Sequence, residues 1–167
     1  MEFISSDSNI WLDFNTINRL DAPFLIKDIY TFLISRDTLE DELITPIDLG
    51  EKLTSYGLIK TELTNEEFLL SIQLKEKYTS LSVYDTFALA IAKLRGIILL
   101  SGDGPLRKAA KREKVEVHGT IWIIDRLLEE ERVSNSDYRS ILQELLSHCG
   151  KDRYLPLSEI QKRLNKF

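Results

Sequence analysis

Residues 81–105 read LSVYDTFALAIAKLRGIILLSGDGP. The first fifteen predict a helix: Tyr84, Phe87, Ala88 and Ile91 fall on one stripe, Leu81, Ala88, Leu89 and Ala92 on the adjoining one, so most of its circumference is apolar. Gly96 predicts its end. Ile97-Ile98-Leu99-Leu100 follows without polar alternation, the pattern of a strand covered on both faces. Ser101-Gly102-Asp103-Gly104-Pro105 then turns the chain into a further helix running up to Lys114. A helix, a doubly buried strand and a second helix imply a parallel sheet with helices on both sides and right-handed crossovers.

The rest of the chain extends that scheme. Strands are expected at 3–6, 29–35, 58–63 and 115–117, and helices at 10–20, 36–44, 48–55, 64–77, 121–132, 137–147 and 156–165. The fold class is therefore α/β, a three-layer α/β/α arrangement with a central parallel sheet and closing C-terminal helices. A change to polar turn residues at 133–136 divides a main unit, 1–132, from a helical extension, 133–167, too short to be stable unaided and expected to pack on the same domain.

Composition narrows the function. Leu, Ile, Val and Phe make up 56 of 167 residues, which excludes intrinsic disorder. The longest run of Leu, Ile and Val is four residues, far from the ~20 apolar residues of a membrane-spanning helix. The opening residues show no basic-then-apolar leader, so a cytoplasmic location is expected, with no membrane partner. Cys149 is the single cysteine, and His118 and His148 are the two histidines, so neither a zinc cluster nor an intrachain disulfide is available. Net charge is −5, but acid and base are segregated: −7 over residues 1–57 and +3 over 104–167. The overall sign argues against coating nucleic acid through a general field, not against a local basic strip beside an acidic pocket.

In a parallel sheet, ligands bind beyond the carboxyl ends of the strands. Asp7 and Asp103 fall at that edge. Asp85 reaches it because its helix runs antiparallel to the strand at 97–100 and so begins where the strands end, and Glu42 lies within about two turns of the start of its helix. Each acid also has a local explanation: Ser82 to Asp85 matches a capping box, Asp103 an N-cap, Asp7 an Asx turn, and Glu42 a solvated acidic face with Glu40 and Asp41. Four carboxylates at one edge repel one another, and a divalent cation resolves the conflict. Mg²⁺ or Mn²⁺ suits oxygen-only ligands completed by substrate phosphates, which implies phosphoester cleavage.

At these positions the sequence resembles a known family. Phe3 to Ile10, Leu39 to Leu43, Leu81 to Ala90 and Leu99 to Asp103 look like the four acidic motifs of PIN domains, the metal-dependent nucleases that include VapC-type bacterial toxins. The likeness covers about residues 3–128, and Val117 to Trp122 is similar to the closing segment of one bacterial subgroup. The resemblance implies that Asp7, Glu42, Asp85 and Asp103 are catalytic metal ligands for Mg²⁺ or Mn²⁺, that Asn9 and Ser101 support them by hydrogen bonds, and that RNA is the substrate. Asp41 stands in for Glu42 if the helix register shifts by one. A further acid often found after the fourth motif is replaced by Arg107 or Lys108, which leaves one metal or two open. The resemblance also implies a small antitoxin partner and a homodimer formed around the early helices. The competing reading is an inactive PIN-like module whose acidic crevice holds a basic peptide. Independently of the family, Arg107, Lys108 and Lys111 begin four residues after Asp103, where they can reach phosphates of an RNA strand.

Overall fold

The computed structural model describes residues 1–148 and 155–166; Cys149 lies outside them. Five strands, β1 (Glu2–Ser6), β2 (Tyr30–Ser35), β3 (Ile59–Thr61), β4 (Ile98–Leu100) and β5 (Val117–His118), form one sheet in the order β3-β2-β1-β4-β5. All four pairings are parallel. The order reverses between β1 and its neighbours β2 and β4, so the crevice beyond Ser6 and Leu100 is the natural ligand position of an open α/β sheet.

Helices cover both faces. Leu100, Ile4, Phe32 and Ile34 point into a core shared with α1 (Ser8–Thr16), α7 (Thr120–Glu129), α8 (Asn135–His148) and α9 (Leu157–Leu164). Leu99 points the other way, into a second core with α4 (Asn65–Lys77), α5 (Val83–Arg95) and α6 (Gly104–Arg112). Adjacent residues of β4 entering opposite cores is the structural counterpart of its unbroken aliphatic run. Two short helices, α2 (Arg36–Glu42) and α3 (Leu49–Tyr56), link β2 to β3. The C-terminal helices contribute Tyr138, Ile141, Leu142, Leu145, Ile160 and Leu164 to the first core, so α8 and α9 are packed against it.

Several boundaries differ from expectation, each for a local reason. The first helix stops at Thr16, four residues before Leu20, because Asn18 takes a left-handed conformation (φ 57°) and the Arg19 amide closes back on the Phe14 carbonyl at 2.9 Å. A 3-10 turn at Ala22–Ile26 follows. The last strand is Val117–His118, later than the expected 115–117. Val115 instead caps α6 from beyond its end, its amide bonded to the Ala110 carbonyl at 2.8 Å after a left-handed Lys114. Helix α7 ends at Glu129, short of Arg132, where a left-handed Glu131 lets the Arg132 amide cap the Leu127 carbonyl at 2.8 Å. Helix α2 closes at Glu42 ahead of Thr45-Pro46, since a residue before proline disfavours helix.

Candidate active site

The site is built on the residue that follows β1. The Asp7 amide donates to the Leu100 carbonyl at 3.0 Å, which pins the residue between the two central strands, and its side chain is only 2 % exposed. Although Asp7 stands at the N-cap of α1, its carboxylate makes no capping bond. Its Oδ2 instead accepts the Ser101 hydroxyl at 3.0 Å and the Asn9 side-chain amide at 3.3 Å. Both residues expected to support the acids therefore meet on one oxygen of Asp7. Ser101 Oγ also accepts the Asp103 amide at 3.0 Å, so one hydroxyl links the ends of β1 and β4.

Asp103 caps α6, with its Oδ2 accepting the Leu106 amide at 3.0 Å. Asp85 forms a full capping box: its Oδ2 accepts the Ser82 amide at 2.8 Å while Ser82 Oγ accepts the Asp85 amide at 3.0 Å. The local roles of these two acids are real, yet each bond occupies only Oδ2. Oδ1 of each makes no hydrogen bond among the described residues. Capping here orients the carboxylate and leaves half of it free.

Glu42, the last residue of α2, accepts the Ser8 hydroxyl at 3.1 Å on Oε1. Asp41 is exposed and accepts the Tyr84 hydroxyl at 2.8 Å. The helix register thus turns Glu42 to the start of α1, beside Asp7, and Asp41 to the outside of α5.

Electrostatics tie the four acids together. Burial, then the charge of Asp85, followed more weakly by Glu42 and Asp103, push the Asp7 carboxyl up from 3.8 to about 7, against a lowering by the Ser101 hydroxyl. Asp85 is raised chiefly by burial and further by Asp103, with the Ser82 amide opposing. Glu42 is raised by burial and by Asp85 and Asp41, with the Ser8 hydroxyl opposing. None of the four makes an ion pair among the described residues. A buried carboxylate facing other carboxylates is costly unless a cation meets it.

The donor set is carboxylate, amide and hydroxyl oxygen, which fits a hard divalent ion such as Mg²⁺ or Mn²⁺. Among the described residues no group of three or more acids, histidines or cysteines is closed into a cage that could hold an ion by itself. An open, water-rich site is the ordinary Mg²⁺ arrangement, in which one or two carboxylates and substrate oxygens share the coordination shell.

The basic residues are placed unequally. Arg107 is half-buried and its Nη1 donates to the Ser101 carbonyl at 2.8 Å, so part of its fork supports the turn that carries the acids. Lys108 and Lys111 are exposed on α6. One further candidate lies outside all the motifs of the sequence: Asp13 on α1, 4 % exposed, accepts the Thr120 hydroxyl at 2.6 Å and ties α1 to the start of α7. A lone charge in the run Trp11-Leu12-Asp13-Phe14 is the same signal that singles out Asp85.

A family model described as PIN domain matches residues 3–167. The chain belongs to the PIN-domain family. PIN domains are in general metal-dependent nucleases, which agrees with an acidic crevice at the carboxyl edge of a parallel sheet. The match runs beyond the expected 3–128 and takes in α8 and α9. No curated protein and no solved structure matches the chain. No helix among the described residues is long and apolar enough to cross a membrane.

Proposed function

We propose that this PIN domain is a Mg²⁺- or Mn²⁺-dependent endoribonuclease, acting as the toxin of a toxin–antitoxin pair in the cytoplasm. The observation that carries the reading is Asp7: a carboxylate almost fully buried, raised by the charges of Asp85, Glu42 and Asp103, and making no ion pair among the described residues. Asp7, Asp85, Asp103 and Glu42 are the residues that would hold the ion. When bound, the ion supplies a water of lowered pKa and neutralises charge growing on the phosphate.

The chain's own groups do the remaining work. Asp7 must be ionised to bind a cation, and the Ser101 hydroxyl favours that form by donating to Oδ2. The Ser82 and Leu106 amides each hold one oxygen, of Asp85 and Asp103 respectively, and so fix the direction of the other. Glu42, held above its ordinary value by burial and by the charges of Asp85 and Asp41, would accept a proton from an attacking water. Lys108 and Lys111 would neutralise phosphates flanking the scissile one.

The partners that fit this reading are an RNA strand, an antitoxin whose tail brings basic or apolar side chains to the crevice, and a second copy of the chain. The early helix α1 buries Ile10, Trp11 and Phe14, whereas α4 exposes Phe68, Leu69 and Ile72, so α4 offers the apolar surface a homodimer requires. The test is incubation of purified protein with a panel of structured and single-stranded RNAs, with Mn²⁺ and with chelator. Cleavage only with the ion is the expected result. Binding without cleavage under either condition would replace the enzyme with a PIN-like module that holds a partner in its crevice.

A further inference from the structure

A cavity of about 540 Å³ opens beside Gly102 and Gly104 of the turn that follows β4. Its walls include Gly102 and Gly104 from that turn, Arg107 from α6, the Trp122 ring from α7, and Leu155 and Pro156 at the start of the last helical segment. That volume lies within the ~300–1,000 Å³ usual for small-ligand sites. The cavity lining adjoins the acids along the chain: Gly102 precedes Asp103 directly, and Arg107 bonds the carbonyl of the Ser101 whose hydroxyl holds Asp7.

The chemistry of the walls selects the occupant. Arg163 is spent: its Nε and Nη2 grip both oxygens of Asp125 at 2.8–3.0 Å, and its Nη1 bonds Glu159 at 2.9 Å. Asp13 receives Thr120. Three acids and two arginines line the cavity, so a phosphate finds no surplus of positive charge there. What remains is flat and apolar. Trp122 stacks on His118 with ring centroids 4.5 Å apart and planes 8° from parallel, and Tyr30 meets it edge-on at 5.5 Å. This ring is held rigid before any ligand arrives. Neither Gly102 nor Gly104 would bring a Cβ within 4 Å of another atom, so the turn leaves open space beside the platform.

We infer that this cavity is a nucleobase subsite, in which a base of the RNA strand next to the scissile phosphate extends the Trp122–His118 stack. The inference rests on the ribonuclease reading for its biological meaning, but not for its test. Stacking on an aromatic side chain is tolerant of sequence, and a cavity of fixed depth beside the cutting site adds a preference for which base occupies that position. Cleavage would then be biased by the nucleotide on one side of the bond.

The protein reports on the site itself. It has two tryptophans, and Trp11 is fully buried with its indole N–H bonded to Ser6 at 2.9 Å, so a change in fluorescence on ligand addition comes from Trp122. The full chain is titrated with adenosine and with cytidine, with ribose as control, in chelator and with excitation at the red edge of indole absorption. Because a nucleoside has no phosphate and no metal is present, the acidic crevice does not contribute. Saturable quenching by at least one nucleoside and none by ribose is the expected result. Gly104→Leu, which places a side chain in the open space while Trp122 remains, should weaken that quenching on the order of tenfold, the loss of about one stacked base. Equal melting temperatures would verify that the variant folds. Absence of quenching by both nucleosides through the millimolar range overturns the inference, as does quenching that Gly104→Leu leaves unchanged. If nucleosides quench but no RNA is cut, the subsite stands and the ribonuclease reading fails.

Discussion

Ser101 donates its hydroxyl to Asp7 Oδ2 at 3.0 Å, and this single bond joins the ends of the two central strands at the buried acid. It opposes the burial and like charge that push Asp7 up to about 7. Ser101→Ala should therefore raise the Asp7 pKa further and shift the pH profile of Mn²⁺ binding upward. The same change leaves the Asp103 amide without its acceptor, at a cost of about 1–2 kcal/mol in stability for the two missing bonds. Calorimetric Mn²⁺ titrations across pH, paired with denaturant melts, separate the two effects.

Metal-free stability should fall as pH rises. A carboxyl whose folded pKa is raised binds its proton more tightly folded than unfolded, so stability present below the ordinary value of 3.8 is lost between there and about 7. Asp85 and Glu42, both raised, act in the same direction. Thermal melts in chelator should give a lower midpoint at neutral than at mildly acidic pH, and Asp7→Asn should flatten much of that slope. Mn²⁺ should reverse the trend, stabilising most where Asp7 is ionised. An unchanged slope in Asp7→Asn would deny that the carboxylate is buried and unpaired.

The sheet and three of the acids are legible in the chain because each is signalled locally. Ile97 to Leu100 has no polar residue and must be covered on both faces. Asp85 and Asp103 occupy helix-start patterns next to that strand, and Asp7 follows the first strand directly. What the sequence conceals depends on residues far apart along it. Asp13 pairs with Thr120 over 107 positions; the lone charge in an apolar run marks Asp13, but nothing near it names its partner. Arg107 reads in sequence as a free phosphate grip, but its bond to the Ser101 carbonyl comes from the way α6 folds back on its own turn. The last strand lies two residues beyond its expected start because a left-handed Lys114 closes α6 and turns the Val115 amide back to cap it. Ser8 meets Glu42 and Tyr84 meets Asp41, and only the packing of α2 between α1 and α5 brings those two hydroxyls into place.

The basic helix divides into two tasks. Arg107→Ala removes a half-buried charged donor to a main-chain carbonyl and should cost about 1–3 kcal/mol of stability. Lys108→Ala with Lys111→Ala should leave the melting temperature unchanged, since both side chains are exposed, and should weaken RNA binding. The salt dependence of that binding should shrink by about 0.7 in slope for each phosphate no longer neutralised. Filter binding of a non-cleavable RNA at several salt concentrations reads this out, and an unchanged slope would mark α6 as a solvated surface.

Cleavage of RNA by Asp7→Asn beside the parent protein, at matched Mn²⁺ and with the fold verified by circular dichroism, tests the four-acid crevice most directly. The variant should melt at an equal or higher temperature without metal, because a buried repelling charge is gone, and should cut no RNA. Cleavage by Asp7→Asn at the parent rate, or parent cleavage that persists in chelator, would contradict catalysis by a metal held at these acids.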